Sequence, residues 1–199
     1  DVLARFCRNE FRLEEGRIHE FLTPAWLKPV WRCFAASHFG RVEPVLPRES
    51  NAPRTAVSAC LCGFPCRYDG RGKKDGKWMA HLQGHEILPV CPEVLAGLGI
   101  PRPRIQYENE NPNTISSHPI IMSESGVNVT PALKHAVARI VEWCQNNRIT
   151  QVILKESSPS CGVHRIPWRN EKIEGRGIFA SELQKNGFIV ISSDREPPG

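Results

Sequence analysis

The 199-residue sequence contains no run of 18 apolar residues, so no membrane span is expected. No basic-then-apolar leader opens it, so no secretory signal is expected either. The first residue is Asp rather than Met, which raises the expectation that the natural N-terminus lies elsewhere. There is no internal repeat, and no low-complexity tract beyond a Pro-rich start. Strong charge bias is also lacking: a formal net charge of +5 is compatible with an anionic substrate or a nucleic acid but points to neither. Recognised cysteine spacing is missing too. The stretch VSACLCGFPCRYDG, residues 57–70, crowds Cys60, Cys62 and Cys66 into Cys-x-Cys-x3-Cys, which matches no common zinc or redox signature.

What is present is an ordinary globular composition, 40% hydrophobic and 24% charged, long enough for one domain with a real core. Eight cysteines without a secretory signal argue against a disulfide framework. In a reducing cytosol, the expected compartment, such thiols serve as metal ligands, catalytic groups or buried fillers.

The chain divides by pattern. Residues 1–54 are rich in Pro and Arg and lack sustained periodicity, because Pro24, Pro29, Pro44, Pro47 and Pro53 interrupt any long element. They are expected to be an extension, disordered or non-native, in which Cys7 and Cys33 have no assigned role. Residues 55–199 are expected to form the domain. Apolar strands are predicted at RTAVSA, HEILPV, QVILK and FIVIS, and helices at KWMAHLQG, EVLAGLG and GIFASELQKNG. The clearest helix starts with Thr130 as N-cap and Pro131 at the first helical position, followed by Leu133, Val137, Ile140, Val141 and Cys144 at helical spacing. Residues 120–126, IIMSESG, are predicted as a hairpin or irregular strand. Strands alternating with helices, each strand a short continuous apolar run, predict an α/β, Rossmann-like three-layer fold with a mainly parallel sheet.

On that map Cys60, Cys91 and Cys161 fall at or just beyond the C-terminal ends of three predicted parallel strands. That sheet edge is where open α/β sheets bind ligands. Three thiols there suit zinc with an open position, or an iron–sulfur cluster, which normally takes four cysteines, with Cys66 as a candidate fourth. The competing explanation is that free cysteines are small, often buried hydrophobes.

Four ordered motifs carry a resemblance: VSACLCGFPCRYDG (57–70), LPVCPEVLAGLGIPRPR (88–104), GVNVT (126–130) and LKESSPSCGVHRI (154–166), joined by GRGIFASEL (175–183). Together they resemble the thiouracil desulfidase family over roughly residues 55–194. The resemblance implies a small α/β protein carrying a [4Fe-4S] cluster on three of four family cysteines. By motif these are Cys60, Cys91 and Cys161, with Cys66 near the site but unbound. Cys62 stands where the family motif has an aliphatic residue, so it is not expected to be a shared ligand. The activity implied is non-redox removal of sulfur from thiolated uracil, giving uracil and hydrogen sulfide. Relatives act on 4-thiouridine in tRNA. The implied partners are therefore a small thiopyrimidine or thiolated tRNA.

A thiocarbonyl sulfur is soft and matches an open iron site, after which water must attack the carbon with help from a general base. Glu93, in CPE beside Cys91, is the first candidate base, and Glu86 at the start of the same strand is the second. For Glu93 the alternative is an ordinary first-turn helix acid. Ser158 and Ser160 are candidates for hydrogen bonds to substrate or cluster, or else turn residues. Arg67, Asp69 and Lys155 are candidate substrate contacts, with Asp69-Gly70 also reading as a turn. Arg102 and Arg104 are expected at the pocket mouth. His81, His85, His118 and His164 are expected at the surface or in packing, not as ligands. The remaining alternatives are a non-catalytic zinc or iron–sulfur protein and a redox sensor.

Overall fold

The computed structural model describes residues 52–108, 120–122, 124–168 and 171–198. The expectations for residues 1–51 and His118 fall outside the described residues. Among the described residues no helix is long and apolar enough to cross a membrane.

Four strands form the central sheet: β1 (Arg54–Ser58), β2 (Glu86–Val90), β5 (Gln151–Leu154) and β8 (Ile189–Ser192). Their order is β2-β1-β5-β8 and every pairing is parallel. The predicted continuous apolar runs are thus strands buried on both faces. Alternation sorts their side chains. Ala56, Val152 and Leu154 face a layer containing α3 (Thr130–Asn146) and α4 (Ile178–Lys185), packing with Leu183, Ile140 and Phe179. Val57 and Ile153 face the opposite layer, where Leu61, Phe64, Trp78 and Leu82 pack around α1 (Gly76–His81). A fully buried side chain of this size contributes about 1.5–3 kcal/mol relative to exposure. This is the predicted three-layer α/β architecture.

Register decides what the sheet presents. Ser58 pairs with Val90, Val57 with Ile153, and Leu154 with Ser192. The chain therefore leaves β1, β2 and β5 at one level, and the segments carrying Cys60, Cys91 and Cys161 start from one edge.

Several local details differ from the sequence-based expectation. α1 begins at Gly76, where the Asp75 carboxylate accepts from the Trp78 amide at 3.1 Å, and it ends at His81 rather than Gly84. Thr130 is the first residue of α3, not its cap; its Oγ1 accepts from the Ile120 amide at 2.6 Å instead of capping the helix. α4 ends at Lys185, two residues before Gly187. Residues 120–122 form β4, which pairs antiparallel with β3 (Ile105–Tyr107). A second antiparallel pair, β6 (Arg165–Trp168) with β7 (Glu171–Glu174), was not expected. These short ladders share a separate apolar cluster of Ile105, Tyr107, Ile120, Leu133 and Ile166.

Candidate metal centre

A 3-10 turn at Ala59–Cys62 follows β1 directly and buries all four of its residues. The Cys60 carbonyl accepts from Gly63 N at 3.0 Å and Lys73 N at 2.8 Å, which fixes the backbone beside its thiol. The returning chain passes very close: a Cβ on Gly72 would lie 2.3 Å from the Gly63 carbonyl oxygen, so no larger residue fits without backbone movement. Cys91 follows β2 as the cap of α2 (Pro92–Leu95), with Pro92 at the first helical position and Glu93 in the first turn. Cys161 lies in the loop after β5. There the Ser158 hydroxyl accepts from the amides of Ser160 at 3.2 Å and Cys161 at 3.1 Å, a side-chain turn that shapes the approach to the thiol.

These three cysteines and Cys66 line one cavity of about 380 Å³. The Cys66 thiol hydrogen-bonds to Cys60 and to Cys91, and those bonds together with burial hold its pKa well above the usual thiol range. The bond from Cys66, assisted by the charges of Lys155 and Arg67, lowers the pKa of Cys60 against the opposing effect of burial. Burial pushes Cys161 well up, the Cys91 charge adds to it, and a hydrogen bond from Ser58 opposes both. Cys62 is not among the cavity walls. It packs in the apolar layer beside Leu61 and Phe64, and burial with the neighbouring Cys60 charge moves its pKa to about 12.

Glu93 lines the same cavity and is held from two sides. Arg102 forms an ion pair with Glu93 Oε2 through Nη2, and Nε donates to the same oxygen at 3.1 Å. Ser160, with no exposed surface, donates its hydroxyl to Glu93 Oε1 at 2.9 Å. Arg102 was expected at the pocket mouth but is only 7% exposed. It donates Nη1 and Nη2 to the Cys66 carbonyl at 3.1 Å each, and Nη1 to Gly99 O at 2.9 Å. A buried guanidinium with a carboxylate and two carbonyls around it has its charge and its donors answered together. Arg104 stays exposed and stacks on Tyr68, its guanidinium 4.7 Å from the ring centre.

The other expected site residues divide. Ser158, Lys155 and Arg67 line the cavity. Burial, then the charge of Lys73, lower the Lys155 pKa, while Cys60 and Asp194 oppose. Asp69 does not line it: its carboxylate pairs with Arg67 at 3.1 Å and accepts from the Arg71 amide at 3.1 Å, closing its own turn. Glu86 is not brought to the cysteines. It sits at the N-terminal end of β2, bound to Arg54 at 2.8 Å. The four residue steps from it to Val90 span about 13 Å at strand rise. None of His81, His85 and His164 lines the cavity; His85 Nδ1 and Thr55 Oγ1 are 2.9 Å apart at the far end of β1.

One residue beside the site, Arg102, was placed from the sequence only at the pocket mouth, and another, Glu156, was not assigned. Arg102 is one of two arginines between prolines, and only the fold decides which turns inward. Glu156 sits two residues after the end of β5, buried, with its carboxylate among the amides of the Cys161 loop. An acid between a buried strand and a Ser/Gly loop was the available hint.

The donor set suits an iron–sulfur group in its chemistry: the cavity offers several thiols and no imidazole. Among the described residues no three Cys, His, Asp or Glu side chains converge closely enough to chelate one ion. A cluster of several metal atoms reaches more widely spaced ligands.

Comparison with known proteins bears on this geometry. The model of the 2-thiouracil desulfurase family matches residues 55–195. The uncharacterized protein YbbK of Bacillus subtilis (strain 168) is 31% identical over 142 residues, covering 69% of this chain and 94% of its own length. A solved structure, the [4Fe-4S]-dependent thiouracil desulfidase TudS, superposes with a TM-score of 0.62 at 34% identity, covering 71% of this chain and 91% of that one. The fold, a cavity with four thiols and no imidazole, and a family match that spans every strand-end cysteine lead to one conclusion: the chain belongs to the 2-thiouracil desulfurase family.

Proposed function

We propose that the protein is a [4Fe-4S]-dependent desulfidase. It converts a thiolated uracil and water to the uracil and hydrogen sulfide without net redox change. The observation that carries this is the cavity itself, in which Cys60, Cys91 and Cys161 share walls with the Glu93 carboxylate. Cys60, Cys91 and Cys161 are the proposed cluster ligands. Cys66 lines the same cavity with its carbonyl held by Arg102, and it is the proposed unbound neighbour of the cluster, as the family resemblance implies. When bound through three cysteines, such a cluster supplies an open iron site, a soft Lewis acid suited to the thiocarbonyl sulfur.

Glu93 is the proposed general base, taking a proton from the attacking water. Arg102 and Ser160 fix its two oxygens, so the carboxylate enters the reaction already oriented. Lys155 and Arg67 at the cavity wall place positive charge where an anionic or electron-rich substrate oxygen would rest. Residues 55–199 are the proposed catalytic domain, with residues 1–54 an added segment. A reducing, cytoplasmic setting fits thiols used as cluster ligands.

Anaerobic reconstitution with iron and sulfide tests this. About four irons per chain and visible absorbance of a cluster are expected. Sulfide release from 2-thiouracil, 4-thiouracil or 4-thiouridine without added reductant should follow. A protein that binds only zinc, or that loads a cluster but releases no sulfide from any of the three, would remove the proposal.

A further inference from the structure

We propose that Glu156 is the positioning residue for Cys161: its buried carboxylate gathers both ends of the Cys161 loop and ties them to the end of β8. The residue is 1% exposed and does not line the cavity, so the chemistry makes no direct use of it. Oε1 accepts from the amides of Ser157 at 3.2 Å, Val163 at 3.1 Å, His164 at 3.1 Å and Arg165 at 2.8 Å. Oε2 accepts from the Ser192 hydroxyl at 2.5 Å and makes a longer contact with the His164 amide at 3.4 Å. The Glu156 amide itself donates to Ser193 Oγ at 3.2 Å.

One side chain therefore holds the residue that opens the loop and the three that close it, with Cys161 between them. The arrangement is an anion seated in a nest of amide donors, except that the anion is covalently part of the chain. Hydrogen bonds to an ionised acceptor are roughly twice as strong as neutral ones. Burial alone would raise the Glu156 pKa; the Ser192 hydroxyl and the loop amides hold it below the usual carboxylate value, as a working anion requires.

Between the pinned ends the loop has no slack. Gly162 N donates to Ser158 O at 2.9 Å, and a Cβ on Gly162 would lie 2.3 Å from Arg165 O. Ser158 turns the backbone toward Cys161, and Ser160 reaches Glu93 from the same segment. Loss of the carboxylate would release a thiol and the support of the proposed base together. The same contacts would also serve a purely local folding role, and the experiment must separate the two.

The consequence for the cluster rests on Cys161 being a ligand, as proposed above; the clamp on the loop does not. Glu156→Gln keeps a carbonyl oxygen for the amides but removes the charge. In cluster-free protein, the amides of Val163, His164 and Arg165 should exchange with solvent at least about tenfold faster than in the native protein, while β1 and β5 amides are unchanged. In the reconstituted variant, a chelator should strip iron at least about fivefold faster, and the paramagnetic signal of the reduced cluster should shift. Native exchange at the three amides would overturn the clamp. Faster exchange with native iron retention and a native signal would overturn the positioning role. Should Glu156→Gln fail to fold, Ser192→Ala removes the hydroxyl shared by Glu156 Oε2 and the Asp194 amide while leaving the carboxylate and its loop amides in place, and should speed iron loss about threefold; an unchanged rate there would also overturn it. Failure of the desulfidase proposal looks different: the native protein would then take up no cluster, and the amide exchange contrast would still decide whether Glu156 holds the loop.

Discussion

The loops after β1 and β5 each deliver a cysteine to the same cavity, yet they are built from different physics. The first, from Ala59 through Gly72, is held by packing: Leu61, Phe64 and the off-site thiol of Cys62 are buried against Trp78 and Leu82. The second, Ser157–Arg165, has little apolar content beyond Val163 and is organised around the Glu156 carboxylate. The difference follows from position. The first loop covers one face of the sheet and can bury side chains in that layer. The second buries only Val163 and Cys161 in the opposite layer, and hydrogen bonds to the Glu156 carboxylate carry more of its order. Two cysteines that share a cavity do not need equal scaffolds.

The comparison breaks first at the thiols. Cys60→Ser and Cys161→Ser should each abolish cluster retention, leaving less than about a tenth of native iron per chain, with Cys91→Ser behaving alike. An iron-loaded Cys60→Ser or Cys161→Ser protein would show that the two loops are not equivalent partners. Next in size is the proposed base they frame. Glu93→Gln should keep iron and lose about 10²–10⁴ in turnover measured as sulfide release, and native turnover would dismiss Glu93.

Smaller effects sharpen the contrast in scaffold. Phe64→Ala should cost about 3–5 kcal/mol in denaturant unfolding while leaving exchange at the Val163 and Arg165 amides native; accelerated exchange there would mean the loops share one support. Smallest is Cys62→Ser. It should retain native iron content at a stability cost of about 1–3 kcal/mol for placing a hydroxyl in an apolar layer. Iron loss in that variant would make Cys62 a ligand.

The sheet was legible because RTAVS, EILPV, QVIL and IVIS are uninterrupted apolar runs between turn residues, and a parallel strand buried on both faces leaves that pattern in sequence. Strand ends then predicted which cysteines would meet, since register in a parallel sheet brings C-terminal ends level. The same logic failed for Glu86, which shares a strand with the site but lies at its other end, bound to Arg54. β7, reading EKIE, is too polar and short to stand out. Glu156 was missed, and Arg102 was placed only at the pocket mouth, for one reason. Which charged side chain turns inward is settled by partners distant in sequence, such as Glu93 or Ser192, and no periodicity encodes them.

Among the described residues no buried side-chain nitrogen or oxygen lacks a partner, and the Arg102, Glu93 and Ser160 contacts are made by protein atoms alone. The aim of the Glu93 carboxylate is thus set by the chain's own atoms, Arg102 from the segment after α2 and Ser160 from the loop after β5, so that a change in either segment redirects it.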